Sequence, residues 1–201
     1  MNIETRRKFI EITRRRIKPG SGSTLTFLKT HTWAKPVTNL SNLIKVPYVI
    51  VGGVATRLYM PERMTLDLDI LIHSDRATEL YTYLETKATL IGELSIGGTS
   101  WQLPDQTILD ILSDNKSWVK EALTQPRVSP DGQPVIDLPY LILMKLAASR
   151  TTDISDISRM LGQASEVDLD RVRSVIETHD RESLEDLESL IQLGKLEFGI
   201  D

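Results

Sequence analysis

The stretch that decides the fold is Tyr48-Val49-Ile50-Val51-Gly52-Gly53, followed after thirteen intervening residues by Asp67-Leu68-Asp69-Ile70. The first part is a short apolar run, which is typical of a buried strand, and the two glycines end it. The second part alternates carboxylates with aliphatic residues, which is typical of a strand with one polar face. The pattern predicts two core strands, at 48–51 and 66–72, joined through a short helix over 54–60.

The two carboxylates of the second strand predict a cation site. Residues two apart on a strand share a face and lie about 6 to 7 Å apart, so Asp67 and Asp69 are expected to point the same way. Neighbouring carboxylates repel each other and lose hydration when they pack against a core, so a compensating cation is expected. Oxygen ligands suit Mg²⁺, which proteins typically bind through one or two carboxylates, water and substrate phosphates.

The glycine pair predicts a phosphate site next to these carboxylates. A glycine lets the backbone approach a phosphate closely, and the start of a helix presents unpaired N–H groups and positive potential. Gly52 and Gly53 stand where the first strand ends and a helix is expected to follow. The alternative for this pair is a plain turn.

A third carboxylate is available at Asp110, the single charged residue in Ile108-Leu109-Asp110-Ile111-Leu112. The run predicts a strand over 107–112. If that strand neighbours the first two, Asp110 completes a site for two metal ions, which hold the attacking and leaving oxygens of a displacement in line. Each motif alone has a plainer interpretation as an exposed strand face or a strand end, but their order and spacing together favour a nucleotide-and-metal site.

The rest of the chain predicts an α+β fold, with a mixed β-sheet flanked by helices and followed by a C-terminal helical region. One or two further strands are expected in 89–103, and an amphipathic helix is expected over 3–17. The composition then changes near 126–137, after which the predicted helices are 138–150, 153–162, 169–178 and 183–196. We expect a catalytic domain in 1–130, which includes the N-terminal helix, and a helical domain in 131–201.

Composition excludes several classes of protein. The absence of cysteine removes disulfides, thiol catalysis and Cys-ligated zinc. No apolar run approaches the roughly 20 residues that span a bilayer, and the charged N-terminus is unlike a secretory signal, so no membrane partner and a cytoplasmic location are expected. The net charge of −4 gives no general attraction to nucleic acid.

Charge is unevenly distributed along the chain. Residues 1–20 hold seven Lys and Arg residues against two Glu, whereas residues 152–201 hold thirteen Asp and Glu against five Lys and Arg. The basic head either contacts the acidic tail or binds phosphate, or else both segments are solvated helix faces.

The combined pattern resembles that of polymerase-beta-type nucleotidyltransferases. These carry a hydrophobic residue before Gly-Gly or Gly-Ser, then a spacer, then Asp-hydrophobic-Asp, and a carboxylate on a later strand. Here Val51-Gly52-Gly53, Asp67-Leu68-Asp69-Ile70 and Asp110 hold those positions. Within the superfamily, two further runs resemble the bacterial AbiEii-type group: Arg63-Met64-Thr65 before Asp67, and Lys145-Leu146-Ala147 with Arg150, Asp153 and Asp156, although Thr152 stands where a basic residue is common. The resemblance covers residues 46–162.

The resemblance implies a role for each of these positions. Asp67, Asp69 and Asp110 would be catalytic and would ligate Mg²⁺, with two ions expected, and Asp110 would also accept the proton of the acceptor hydroxyl. The nucleoside triphosphate substrate, such as ATP, would be bound by a second set of residues: Gly52, Gly53, Arg63, Thr65 and Lys145. The alternatives are that Arg63 is a plain loop residue, that Lys145 is a snorkelling lysine on a buried helix, and that Arg150, Asp153 and Asp156 form an ion-pair cluster.

Three functions remain open from the sequence. The first is nucleotide transfer to RNA, such as tRNA, or to a protein, in a toxin-type enzyme with a cognate antitoxin as partner. The second is a catalytically silent binding or antitoxin-like module that keeps the fold, although three retained and mutually repelling carboxylates argue against it. The third is nucleotide transfer to a small molecule, such as an antibiotic.

Overall fold

The computed structural model describes residues 1–17, 19, 37–60, 65, 67–95 and 97–200. Their internal contacts divide them into two compact units. The sheet unit holds the described residues of Trp33–Leu58 and Glu62–Asp137. The helical unit holds those of Met1–Thr32, Tyr59–Pro61 and Leu138–Asp201.

The strands of the sheet unit are β1 (Tyr48–Val51), β2 (Leu68–His73), β3 (Thr89–Glu93), β4 (Thr99–Gln102), β5 (Ile108–Asp114), β6 (Arg127–Val128) and β7 (Pro134–Val135). In the described residues they form one sheet in the order β3-β4-β5-β2-β1-β7-β6. β1 runs antiparallel to β2, whereas β2 runs parallel to β5, so the sheet is mixed. All of β1 is buried, which is typical of a central strand covered on both faces.

Three helices accompany this sheet, namely α2 (Gly52–Thr56), α3 (Ala77–Leu84) and α4 (Ser117–Thr124). α2 and α4 pack against β1 and β2. α4 buries Trp118, Val119 and Ala122, a spacing that places one apolar stripe toward the sheet.

The expected α+β class is confirmed, with a mixed sheet flanked by helices and a C-terminal helical region. The strand expected at 48–51 has the predicted ends, and two strands lie within 89–103 as expected. β2 begins at Leu68, so Asp67 precedes the strand instead of lying in it. The helix expected over 54–60 begins earlier, at Gly52, and ends at Thr56. β6 and β7 were not predicted, because two residues are too few to show an alternation.

The helical unit contains α1 (Ile3–Arg16), α5 (Leu138–Ala148), α6 (Thr151–Gly162), α7 (Glu166–His179) and α8 (Leu184–Phe198). α5 is buried along most of its length and contacts α6 and α7, as expected of a helix that is apolar all round. The contacts place α1 in this unit and divide the chain between Asp137 and Leu138, whereas the predicted division put α1 with the sheet and lay at 130. None of the helices in the described part of the chain is long and apolar enough to cross a membrane.

A buried arginine attaches α1 to the other helices of its unit. Arg6 is 3% exposed, and its Nε donates to Oδ2 of Asp186 on α8 at 2.7 Å. Its other nitrogens donate to three further acceptors, the carbonyl oxygen of Leu146 and the hydroxyls of Ser149 and Ser183. Arg7 also pairs with Asp186. Of the alternatives for the uneven charge, the structure therefore shows the basic head in contact with the acidic tail.

Candidate functional site

Asp69 and Asp110 lie side by side in the sheet. β2 and β5 run parallel, and their register pairs Asp69 with Asp110. Neighbouring strands lie about 4.8 Å apart, and aligned residues point to the same face. On the other side of β5, the register pairs Asp110 with Ser100 of β4. One face of the sheet thus carries two carboxylates and a hydroxyl in a single row.

The Asp110 carboxylate has an unsatisfied oxygen. The residue is half-buried, and its Oδ1 is a buried atom without a hydrogen-bond partner in the described residues. A polar group that is removed from water without a partner destabilises a fold by about 1–3 kcal/mol, and a charged group by more. A cation that reached Oδ1 would remove this penalty. With the carboxylate of Asp69 next to it, Oδ1 fits the oxygen ligands that Mg²⁺ prefers.

The Asp69 carboxylate leaves no room for a side chain at position 52. Its φ of +62° lies in the left-handed region, which side chains disfavour. A Cβ on Gly52 would also lie 2.1 Å from Oδ2 and 2.7 Å from Cγ of Asp69. Val51, just before it on β1, is the register partner of Asp69. The carboxylate of Asp69 therefore lies directly against the backbone where β1 ends.

Gly53 contacts a different residue, Thr65. A Cβ on Gly53 would lie 2.8 Å from Cγ2 and 3.1 Å from Oγ1 of Thr65. α2, in which Gly53 is the second residue, spans only five residues, so it adds little of the N-terminal potential that a long helix would supply. The steric need for glycine at this position comes from Thr65, and contact of Gly53 and Thr65 with a triphosphate stays a prediction.

Asp67 is not gathered with the other two carboxylates. It stands one residue before β2, and its side chain is exposed. Because the strand starts later than expected, strand alternation does not direct Asp67 to the face of Asp69. In the described residues, no group of three or more His, Asp or Glu side chains is placed to hold a metal ion. The structure thus brings Asp69 and Asp110 together with Gly52 and leaves Asp67 at the entry to the strand.

Lys145 lies in the helical unit, where its Nζ donates to Oδ1 of Asp153 at 3.0 Å and to Oδ2 of Asp156 at 2.8 Å. Burial alone would raise the pKa of Asp153, but hydrogen bonds from Arg150 and Lys145 and their charges outweigh burial and lower this pKa. Arg150, Asp153 and Asp156 were alternatively interpreted as an ion-pair cluster, and the structure shows ion pairs at Asp153 and Asp156. Lys145, whose alternative was a snorkelling lysine, supplies a buried cation to both. Contact of Lys145 with a triphosphate stays a prediction, and Arg63 lies outside the described residues.

Arg57 is a buried charged residue of the sheet unit to which no role was assigned from the sequence. Arg57 directly follows α2, is 8% exposed, and donates from Nη2 to the carbonyl oxygen of Thr65. Burial lowers the pKa of Arg57. The sequence offers little indication of this burial, because the residues around Arg57 form the same local pattern whether its side chain is buried or solvated.

No protein-family model matches this chain, and no curated protein matches it. The chain is similar to the solved structure of an antigenic nucleotidyltransferase-like protein from Paracoccidioides brasiliensis, with 19% identity, a TM-score of 0.43, and coverage of 84% of this chain and 91% of that chain. It is similar to ANT(2″)-Ia in complex with adenylyl-2″-tobramycin, with 17% identity, a TM-score of 0.41, and coverage of 73% and 87%.

It is also similar to the Thermotoga maritima CCA-adding enzyme complexed with tRNA, with 15% identity, a TM-score of 0.35, and coverage of 94% of this chain and 54% of that chain. This chain therefore spans about half the length of that enzyme. Structural neighbours of the chain are nucleotidyltransferase-fold proteins.

Proposed function

We propose that the protein is a magnesium-dependent nucleotidyltransferase, which moves a nucleotide from a nucleoside triphosphate to an acceptor. The observation that carries the proposal is the alignment of Asp69 with Asp110 on neighbouring strands, with Oδ1 of Asp110 buried and unpartnered in the described residues. Two adjacent carboxylates repel each other, so their presence inside a sheet favours a bound cation over a structural role.

Asp69 and Asp110 would hold the metal, with two ions expected, and Asp67 would join them when its exposed side chain turns toward the pair. Two or three carboxylates are enough for Mg²⁺, because this ion usually keeps several waters and takes substrate phosphates as its remaining ligands. When bound, Mg²⁺ stabilises negative charge on the reacting phosphate oxygens.

The residues of the chain would supply the rest of the reaction. The acceptor oxygen forms a bond to the α-phosphorus, and the bond between that phosphorus and the departing pyrophosphate breaks. The Asp110 carboxylate would receive the proton of the acceptor hydroxyl through its second oxygen, while Oδ1, which has no partner in the described residues, ligates the metal. The proposed contacts to the triphosphate are those of Gly52, Gly53, Thr65, Arg63 and Lys145.

For the acceptor we propose RNA, such as tRNA, or a protein, in a toxin-type enzyme that a cognate antitoxin would control. The support is the last turn of α1, where Arg14 and Arg16 are exposed and would meet phosphates, and where the exposed Arg15 pairs with Glu11. Arg6 and Arg7 add little to this surface, because both pair with Asp186. A small-molecule acceptor is the alternative that the assay below distinguishes.

A silent binding or antitoxin-like module is the second candidate. The observation in its favour is that the described residues contain no group of three Asp, Glu or His side chains placed to hold a metal ion. The side chain of Asp67 is exposed. Such a module would bind the nucleoside triphosphate without transferring it. Binding therefore cannot separate the two candidates, and transfer can.

The test is incubation of the purified protein with each labelled nucleoside triphosphate and Mg²⁺, in the presence of total RNA, cell lysate or a panel of aminoglycosides. We expect label to enter one of these acceptors, and Asp110→Asn to abolish the incorporation. Asp114→Asn is the matched control, because Asp114 lies on the same strand but pairs with Lys116 away from the proposed site. Triphosphate binding without any incorporation would establish the silent module instead.

A further inference from the structure

Three Arg and Lys side chains are buried in the described residues, and two of them have carboxylate partners. Arg6 pairs with Asp186, and Lys145 pairs with two aspartates of α6. Arg57 is buried as well, at 8% exposure, but it forms no ion pair within the described part of the chain. Burial of a charge without an opposite charge is strongly destabilising, so a folded protein that retains one is expected to use it.

The hydrogen bonds of Arg57 leave donors available for a ligand. A guanidinium group carries five N–H donors. In Arg57, a single donor is used within the described residues, from Nη2 to the carbonyl oxygen of Thr65. Arg6 in contrast donates to an aspartate, two serines and a carbonyl oxygen. The burial that lowers the pKa of Arg57 therefore has no compensating anion in the described residues.

The position of Arg57 connects this unmatched charge to the carboxylate site. Its one acceptor, Thr65, lies two residues before Asp67 in the chain, and the Thr65 side chain packs on the backbone of Gly53. Gly53 in turn follows Gly52, which lies against the carboxylate of Asp69. All of these residues belong to the sheet unit.

We infer that Arg57 is a phosphate-binding residue, whose guanidinium pairs with the phosphates of the nucleoside triphosphate that are not transferred. The inference rests on the proposed function, since it takes the triphosphate as the ligand. Guanidinium groups bind phosphate oxygens through two parallel N–H donors, and the unused donors of Arg57 meet that requirement. The phosphates would supply the negative charge that the described residues do not.

A purely structural role for Arg57 predicts different effects of its substitution on stability and on phosphate affinity. If Arg57 served only to hold the carbonyl of Thr65, its loss would destabilise the fold and leave phosphate affinity unchanged in any variant that folds. If it serves a phosphate, Arg57→Met removes an unmatched buried charge, so the stability of the ligand-free protein is kept or rises while affinity falls.

The experiment is calorimetric titration of the whole chain with MgATP and with inorganic tripolyphosphate, together with melting temperatures of the ligand-free proteins. We expect Arg57→Met to weaken binding of both ligands by about 10-fold or more, the scale of a lost charged hydrogen bond. Arg57→Lys keeps the charge but not the paired donors and should bind with intermediate affinity. Arg76→Met is the control, because this substitution removes the same charge from an exposed residue of the same unit, which pairs with Glu79. This variant should keep wild-type affinity.

Wild-type affinity in Arg57→Met would overturn the inference. It would also be overturned if Arg57→Met failed to fold while Arg57→Lys folded and bound tripolyphosphate as tightly as the wild type, because the side chain would then serve Thr65 alone. If the wild-type protein bound neither ligand, the proposed function itself would fail, and the role of Arg57 with it. Binding by the wild type with no change in Arg57→Met removes Arg57 alone and leaves the proposed function standing.

Discussion

Replacement of Gly52 by alanine tests whether the Asp69 carboxylate lies against the backbone at the end of β1. The substitution adds one carbon atom, which would lie 2.1 Å from Oδ2 and 2.7 Å from Cγ of Asp69. Separations this short are never tolerated, so the carboxylate or the backbone must move. The alanine would also have to adopt the φ of +62° that the glycine adopts.

The two effects have separate magnitudes. The left-handed conformation costs a residue with a Cβ about 1–2 kcal/mol. Insertion of an atom into an occupied space costs about 1–3 kcal/mol. We therefore expect Gly52→Ala to lower the free energy of unfolding by about 2–5 kcal/mol. For a chain of this size that corresponds to a fall in melting temperature of about 4–20 °C.

A double-mutant cycle separates these contributions. Urea unfolding is followed by tryptophan fluorescence, since Trp101 is buried in the sheet unit, for Gly52→Ala, Asp69→Ala and the double variant. When Asp69 is already alanine, the contacts with Oδ2 and Cγ are absent and only the approach to Cβ, at 3.1 Å, remains. Gly52→Ala should then cost little more than the conformational part, about 1–2 kcal/mol. Gly132→Ala is the matched control, because Gly132 has a φ of +81° and a Cβ there would meet no atom within 4 Å.

An equal cost of Gly52→Ala in both backgrounds would refute the contact with Asp69. A cost for Gly132→Ala as large as that of Gly52→Ala would show that backbone conformation alone accounts for the loss. Either result would separate Gly52 from the carboxylate site, and the requirement for glycine would then be a property of the turn.

Asp69→Asn should reduce nucleotide transfer by at least about 100-fold, because one charge that stabilises the metal and the triphosphate is lost. The ligand-free protein should stay folded, because Asn keeps the size and shape of the side chain; unfolding instead would make the carboxylate structural. MgATP should raise the wild-type melting temperature by mass action, and Gly53→Leu should abolish that rise; an unchanged rise would remove Gly53 from the site. Lys145→Met should lower the free energy of unfolding by up to about 3–5 kcal/mol, measured in urea, because it removes the buried cation that Asp153 and Asp156 share, although Asp153 keeps Arg150. The folded pKa of Asp153 lies below its unfolded value of about 3.9, so its contribution to stability is present above about pH 4 and is lost as the pH falls further. The urea concentration at the unfolding midpoint should therefore decrease when the pH is lowered below about 4, and an unchanged midpoint would contradict the assignment.

The central strands could be predicted from the sequence because each has a strong local pattern. β1 is an unbroken apolar run, so its ends and burial follow from hydrophobic periodicity. β5 has one charge among aliphatic residues, which predicts the strand at 107–112, although β5 runs from Ile108 to Asp114. The alignment of Asp69 with Asp110 was an expectation from chemistry, since only neighbouring strands would let these carboxylates share a metal. The register of β2 and β5 shows that alignment.

Other features depend on tertiary contacts that leave no local pattern. The start of β2 at Leu68 is set by pairing with β1 and β5, so the alternation that includes Asp67 overestimated the strand. Arg6 and Arg57 are arginines in unremarkable contexts, and burial is what separates them from solvated ones. The pairing of Arg6 with Asp186 joins residues 180 positions apart in the chain, which no window of sequence reports.

The carboxylate pair also determines what the fold loses when no cation is present. Like charges on aligned residues oppose folding, and Oδ1 of Asp110 adds a buried acceptor without a donor in the described residues. An aliphatic residue at position 110 would avoid both costs, as Leu109 and Ile111 do on the same strand. A cation that binds only the folded protein would remove the repulsion and stabilise the fold by mass action. That link between cation and stability holds for an enzyme and for a silent module alike, so transfer of the nucleotide, and not binding, is the measurement that decides between them.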